Sequence, residues 1–476
     1  MSYENGNIYR NGNQALKEAL ALYKPSEILY VPLEIGKYNH KAKIVNFLGD
    51  VLVKPVEFAN SKHGLKFLLE KIKDAQKIAS ARKIFCGCES CGHYHLNIVY
   101  HLKQQGLPVE PINPRDVRKE NPNKDAKNDL IDLNAIARTM IYNKGSRQVI
   151  PEGVYYKIQR ASRTRINLVQ RRTSSRNIIT GLVDRIFPGL WDKDDSVFSQ
   201  RFGKASLLLL EHYPHPKKIT LLGEKRLSRF LRKNNTKLGE ETARKIVQKA
   251  EESLYKPEEE LEMDILALRC HIKVLRQYEE VIQTLEKEIA LLLLQSPGTY
   301  LLSIPGIGAE YASQFTAEVG DITRFAYANQ IISFAGICSR VFESSEYEAK
   351  GLPMTKRGSK FLRTTLNQIS LSLNSHCKPF HIYYERKREE KKDRPGIARV
   401  ATGNRFVKLA FALMRKEEIY NPRDLVDEKK YYIQLWEKIL EKLGKIDLNL
   451  LPKENYLVKI KKEIEDKYGL KLSLEI

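Results

Sequence analysis

Between residues 27 and 141 the apolar positions change their period in a definite order. Residues 27–35, 41–47 and 51–58 are short runs rich in β-forming side chains, separated by polar turns, one of them Gly49-Asp50. They predict three successive strands joined as hairpins. Residues 64–78 have helical periodicity, 83–88 read as a strand, 93–105 as a helix, 107–112 as a strand and 130–141 as a helix. Before Ser26 the chain is polar except for an amphipathic patch at residues 15–23, read as an arm or a short helix.

Beyond residue 150 the pattern is helical. Residues 155–186 make one long stretch, ended by Phe187-Pro188-Gly189. Residues 201–255 read as short helices broken by Pro214 and Pro216, with the last starting near Gly239. Pro257 followed by Glu258, Glu259 and Glu260 is a helix start, with proline in the first turn and acids complementing the dipole. From there Leu261, Ile265, Leu268, Ile272 and Leu275 alternate by four and three, and Ile282, Ile289 and Leu293 keep the phase across Glu279 and Glu286. This predicts a coiled-coil-like helix whose partner is another protomer or an earlier helix of the same chain, with dimerisation preferred. Residues 301–319 read as a helix end, a tight turn at Gly306 and Gly308, and a new helix with Ala312, Phe315 and Val319 on one face. A helix-hairpin-helix of this kind presents turn amides and a helix N-terminus to a phosphate. Residues 401–414 are one more helix, and beyond Lys416 short helices alternate with charge.

Composition narrows the partner. A length of 476 residues suggests about three domains. The net charge of +23 points to a polyanion, with nucleic acid the default. No long uncharged apolar run favours a membrane instead, since the longest apolar patch, residues 290–294, is far too short to span one. Six cysteines in a chain of this length are no disulfide framework, so a reducing cytoplasm is expected.

Strand-strand-strand-helix-strand-helix-strand-helix is the order of an RNase H/RuvC-like domain, in which acids at strand ends and on a late helix converge on divalent metal. Glu34 ends the first predicted strand and Glu89 the fourth, while Asp129 and Asp132 lie three apart on one helix face. Clustered carboxylates repel unless a hard cation neutralises them, and oxygen ligands suit Mg²⁺. Two such ions activate an attacking oxygen and stabilise a leaving one. Lys124 and Lys127 stand just before the aspartates, where they would hold phosphate or balance the acids. Cys86, Cys88, Cys91, His93 and His95 imitate a zinc cluster, but strand alternation sends Cys86 and Cys88 to one face while Cys91 lies past the Glu89 corner. They are read as small buried thiols.

The helix at 155–186 is strongly basic. Arg160, Arg163, Arg165, Arg171, Arg172 and Arg176 have almost no acidic balance nearby in sequence, and neutral donors such as Asn167, Gln170 and Ser174 stand among them. This suits a phosphate backbone, of DNA or of A-form RNA. A second basic group, Lys356, Arg357, Lys360 and Arg363, surrounds Gly358 and suits a scissile phosphate or its neighbours.

The run Pro305-Gly306-Ile307-Gly308, Gly320-Asp321-Ile322-Thr323-Arg324-Phe325, Ala335-Gly336-Ile337, Ser344-Ser345, Thr355-Lys356-Arg357-Gly358 and Leu362-Arg363 resembles the C-terminal domain of one insertion-sequence transposase family. That family pairs a RuvC-like domain carrying a DEDD tetrad with a domain carrying a serine nucleophile. Its better-understood members are guided by a structured bridge RNA, and pilin-gene invertases are relatives. The resemblance covers roughly residues 27–190 and 296–412. It implies that Glu34, Glu89, Asp129 and Asp132 are the tetrad, with Glu34 where the family usually has Asp. It makes Ser344 the nucleophile, with Ser345 where the family usually has Gly and therefore a second candidate. The implied activity is DNA transposition or site-specific recombination, Mg²⁺-dependent, through a transient phosphoserine link to donor and target DNA. A structured guide RNA and a homo-oligomer, dimer or tetramer, are the implied partners.

The expected domains are an arm at 1–26, a RuvC-like α/β domain at 27–150, a basic and coiled-coil-like helical spacer at 151–295, a mainly α domain with the helix-hairpin-helix and the serine at 296–415, and a helical extension at 416–476. Two other readings of the same residues stay open. One is a metal-dependent nuclease of the Holliday-junction-resolvase type that uses water, and the other a non-catalytic nucleic-acid-binding descendant.

Overall fold

The computed structural model describes residues 14–90, 92–121, 128–143, 149–192, 197–234, 239–339, 343–344, 347–348, 353–390, 392, 394–422, 427–444, 450–452 and 455–473. The chain divides into two compact units, one made of Met1–Pro151 with Ile322–Arg363, the other of Glu152–Asp321 with Thr364–Ile476. Lys124, Lys127, Cys91 and Ser345 lie outside the described residues.

The first unit begins with helix α1 (Gln14–Leu22), followed by strands β1 (Ile28–Ile35), β2 (Asn39–Val45) and β3 (Val51–Ala59) and helix α2 (Lys62–Ile78). Then come β4 (Lys83–Glu89), α3 (His95–Gln104), β5 (Val109–Ile112), α4 (Pro114–Lys119) and α5 (Asp129–Ile141). The sheet order is β3-β2-β1-β4-β5, with β1, β2 and β3 antiparallel and β4 and β5 parallel to β1. Each predicted strand and helix of this region is present. The short α4 was not foreseen, although Asn113 before Pro114 is a helix-start signal, and its side chain accepts from the Arg115 amide.

Both sheet faces are covered, and the two-residue period of a strand decides which side chain goes where. Leu29, Val31 and Leu33 of β1 join Ile84, Cys86 and Cys88 of β4 in a core with Leu68 and Ile72 of α2 and Val99 and Leu102 of α3. Ile28 and Tyr30 join Phe85 on the opposite face, packed on Leu16 of α1, Val117 of α4 and Ile136 and Met140 of α5. Gly87 lets α5 come close, since a Cβ there would lie 2.5 Å from the Met140 sulfur. Cys86 and Cys88 are buried thiols on the α2/α3 side, neither of them in a disulfide, and burial pushes the Cys86 thiol up to about 12.

The same unit includes α12 (Ala328–Ala335) and two two-residue strands, β6 (Glu343–Ser344) and β7 (Tyr347–Glu348). The second unit holds α6 (Gly153–Ile186), α7 (Lys204–His212), α8 (Pro216–Lys233, broken at Gly223), α9 (Glu240–Glu252), α10 (Glu258–Leu293) and α11 (Ala309–Val319). It continues with α13 (Lys360–His376) from Thr364 onward, α14 (Lys378–Glu390), α15 (Pro395–Lys416), α16 (Glu428–Leu443) and α17 (Tyr456–Tyr468). The α10 stripe keeps its predicted phase: Leu261, Ile265, Leu268, Ile272 and Leu275 are buried with Ile179, Leu182, Val183 and Ile186 of α6. Of the two partners open to this stripe, it takes the earlier helix of its own chain. Among the described residues no helix is long and apolar enough to cross a membrane.

Candidate active site

Glu34 lies at even spacing from Ile28 and Tyr30, so it falls on the α5 face of the sheet. By the same period Glu89 at the end of β4 shares the face of Phe85 and Gly87. The last parallel β1–β4 pair is Leu33 with Cys88, which brings the two glutamates to one end of adjacent strands. Asp129 and Asp132 occupy the first turn of α5, packed on this face. Asn128 starts that turn, its side chain accepting from the Ile131 amide at 2.8 Å. Unpaired amides at a helix N-terminus favour carboxylates there.

The acids influence one another. The Glu34 carboxyl is raised above its ordinary value of 4.5, first by burial, then by the Asp129 and Asp132 charges, while Lys41 opposes the rise. Lys41, the register partner of Glu34 on β2, donates to Asp129 and stands 3.9 Å from Glu57. Next along that face of β2, Lys43 donates to Asn134 of α5. Among the described residues no three of His, Cys, Asp and Glu are gathered closely enough to hold a metal ion. The Lys41 ammonium is in contact with Asp129.

One pH effect follows. Between 4.5 and its raised value, Glu34 binds its proton in the folded chain and has lost it in the unfolded one. Stability from this group is therefore full below that window and is lost as pH rises through it. Glu34→Gln is expected to melt higher than the parent at neutral pH without metal, with the difference vanishing at low pH. A variant that melts lower at neutral pH would contradict the repulsion.

Ser344 ends β6, where it pairs with Tyr347 of β7. Its side chain and Ser345 lie outside the described residues. The base of this loop is closed by backbone contacts. The Thr355 amide donates to Cys338 O at 2.9 Å, the Lys356 amide to Gly336 O at 3.0 Å and the Ser359 amide to Phe334 O at 3.1 Å. Gly336 and Gly358 make that approach possible. Both have positive φ, and a Cβ would lie 2.3 Å from Arg357 O at the first and 2.0 Å from Phe334 O at the second. Gly358→Ala is expected to open this base at a cost of about 1–3 kcal/mol. Hydrogen exchange at the Thr355 and Lys356 amides should speed up; unchanged exchange would show that the clamp lies elsewhere. Lys356, Arg357 and Lys360 beside it are exposed, whereas Arg363 is half-buried and donates to Ala335 O at 2.9 Å.

The basic helix α6 requires correction at three positions. Arg165 is buried, and its guanidinium is engaged by Glu286 and Glu310. Arg163 makes a two-pronged bond to Glu318, at 2.7 and 3.0 Å, and Arg176 bonds Glu279 at 2.7 Å. These arginines tie α6 to α10 and α11. Arg165→Ala should lower stability by about 2–3 kcal/mol, between the values for exposed and for buried pairs. Denaturant unfolding reads this directly; an undiminished midpoint with weakened nucleic-acid binding would restore the phosphate role. Arg160, stacked over Tyr156, and Arg171 are exposed, and Arg172 is half-buried. Arg171 lines a groove with Asn167, Gln170 and Ser174 of α6 and Tyr278 of α10.

The Gly306 turn keeps its predicted shape but not its surroundings. Gly306 has φ +86°, and its carbonyl accepts from Ser372 Oγ of α13 at 2.6 Å. A Cβ there would lie 3.0 Å from the Ser372 carbonyl, so the close approach is made to the chain itself. Gly308 has an ordinary φ of −93° and caps α11. The element before the turn, Pro297–Ser303, is a buried 3-10 helix and not the end of an α-helix.

A mixed five-stranded sheet with glutamates at the ends of two adjacent strands and two aspartates in the first turn of the helix packed on it, in a chain of +23, is compatible with a nucleic-acid-processing protein. Comparison with known proteins identifies the family. Residues 31–188 match a model of DEDD transposases of the IS110 kind, and residues 298–385 match that of the transposase IS116/IS110/IS902 family. The insertion element IS110 43.6 kDa protein of Streptomyces coelicolor is 23% identical over 401 residues, covering 83% of this chain and 96% of that protein. The insertion element IS116 44.8 kDa protein of Streptomyces clavuligerus is 21% identical over 403 residues, with the same coverage. The chain belongs to the IS110/IS116 family of insertion-element transposases.

Proposed function

We propose that this transposase is a site-specific DNA recombinase that joins strands through a serine-linked intermediate. What supports the reading is that Glu34 and Glu89 fall on the sheet face against which α5, with Asp129 and Asp132 in its first turn, is packed, within a chain of this family. The strand order 3-2-1-4-5, with one antiparallel meander and two parallel additions, supports a RuvC-like fold. The turn at Gly306 followed by α11 is the remaining support for a helix-hairpin-helix. The proposed domains keep the expected boundaries at residues 26, 150, 295 and 415.

The donor set is all carboxylate, which suits a hard divalent cation, read as Mg²⁺. Glu34, Glu89, Asp129 and Asp132 would hold it; burial first, and then the Asp129 and Asp132 charges, raise the Glu34 carboxyl, and a bound cation would oppose the second of these. When bound, such an ion neutralises charge building on the phosphate and on the departing oxygen. Ser344 Oγ forms a bond to a DNA phosphorus as one phosphorus–oxygen bond of the strand breaks. The serine proton passes to solvent, and the departing strand end takes one up. The hydroxyl of a second strand end then attacks the phosphoserine phosphorus and loses its proton, while the phosphorus–Oγ bond breaks and Oγ takes up a proton to restore the serine. One phosphodiester replaces another, so no nucleotide cofactor is consumed. Exposed Lys356, Arg357 and Lys360 beside the loop base suit the phosphates flanking that bond.

Arg160 and Arg171 on the exposed side of α6, with the polar donors around Arg171, suit a nucleic-acid backbone. A structured guide RNA and a dimer or tetramer that acts on nucleoid DNA in the cytoplasm complete the reading. The test is co-purification. The chain is expressed beside its native flanking DNA, and bound RNA is sequenced. One discrete RNA from the flank is expected, whereas random RNA or none would remove the guide from the account.

A further inference from the structure

The strongest unassigned feature is the position of Lys41. It sits on β2 directly across from Glu34, its ammonium bonded to Asp129. Its other cross-strand partner is Glu57 of β3. Glu57 is already oriented: Asn39 Nδ2 donates to its Oε1 at 2.6 Å, and its Oε2 faces Lys41 Nζ at 3.9 Å. One lysine thus stands between two carboxylates, seated on the first and within a short side-chain swing of the second. All three groups are open to solvent, with Lys41 35%, Asp129 49% and Glu57 51% exposed, so the exchange needs no backbone movement.

We propose that Lys41 is a built-in counter-ion that occupies the acidic site of the metal-free protein and withdraws to Glu57 when a divalent cation is bound. The inference rests on the reading of Glu34, Glu89, Asp129 and Asp132 as the metal site. Its physical basis is competition. An ammonium bonded to Asp129 uses a carboxylate oxygen that a cation needs, and it softens the repulsion that otherwise acts among Glu34, Asp129 and Asp132. A site filled by its own lysine most of the time shows an affinity reduced by the fraction of time it is vacant. Lys41 is then a positioning residue. It keeps the acids together before loading, and it sets the cation concentration at which loading occurs.

Two measurements on the full-length protein test this. Mn²⁺ is titrated by calorimetry into the parent, Lys41→Met and Asp132→Asn, at one pH and ionic strength. Separately, the parent is pulsed with acetic anhydride with and without Mg²⁺, and acetylation is read by mass spectrometry, with exposed Lys37 as internal reference. The expected result is Mn²⁺ binding about tenfold tighter in Lys41→Met than in the parent, as for a lysine seated about nine-tenths of the time. Acetylation of Lys41 relative to Lys37 should rise several-fold with Mg²⁺. Equal or weaker binding in Lys41→Met, with a Lys41 labelling rate indifferent to Mg²⁺, would overturn the counter-ion role while leaving the metal site standing. Absence of Mn²⁺ binding in the parent and in Lys41→Met alike would overturn the metal reading, and the inference with it. The labelling arm uses the unaltered chain, so it decides even where the substitution harms folding.

Discussion

Asp132→Asn is expected to reduce strand cleavage and joining by at least about 10³-fold while the variant folds as well as the parent. Loss of a carboxylate that holds a cation at the reacting phosphate costs several kcal/mol of transition-state stabilisation, and each 1.36 kcal/mol is tenfold in rate. The fold has no comparable need of Asp132. It lies in the first turn of α5, where Asn is nearly the same shape, and its charge is one of those that raise the Glu34 carboxyl. The metal-free variant should therefore melt no lower than the parent at neutral pH. Chemistry lost with stability kept or gained separates a functional carboxylate from a structural one. Cleavage at the parental rate would remove the acidic site from the mechanism.

Ser344→Ala should have an equally large effect on a different step. No covalent protein–DNA species should form, and joining should fall to background, while affinity for nucleic acid stays within about twofold, because the hydroxyl contributes one bond among many phosphate contacts. Ser345→Ala is the companion experiment. If the adduct survives in Ser344→Ala and disappears in Ser345→Ala, the nucleophile is the next residue along. Metal-dependent cleavage that persists in both variants without an adduct would mean that water attacks, as in a resolvase-type nuclease.

Much of the first sheet was legible because its signals are local. Strand alternation fixes which face each residue of β1 and β4 takes, so Glu34 and Glu89 are placed together once the strands are recognised. Asn128 before Asp129 marks the helix start that carries the other two acids. The acidic partners of three α6 arginines were hidden for the opposite reason. Glu279, Glu286 and Glu318, which neutralise Arg176, Arg165 and Arg163, lie more than 100 residues further along the chain, so local charge balance says nothing about them. Lys41 was hidden in the same way. A lysine that opens a short strand looks like an edge residue until Asp129, 88 residues away, is brought to it. At Gly306 the positive φ was readable, whereas the close approach of Ser372 and His376 of α13, more than 60 residues further along, was not. The proposal of Ser344 rests on its motif alone. The Gly336 and Gly358 clamp that closes its loop joins residues about twenty positions apart, and no periodicity reports such a contact.

The measurement that bears most directly on the central claim is to locate the protein–DNA bond. The protein is incubated with Mg²⁺ and DNA carrying the ends of its own element, together with RNA transcribed from the flank, then denatured and digested. The peptide still attached to nucleotide is sequenced by mass spectrometry. A phosphodiester on Ser344 is the predicted result. DNA cut cleanly with every peptide free of nucleotide would contradict a serine-linked recombinase.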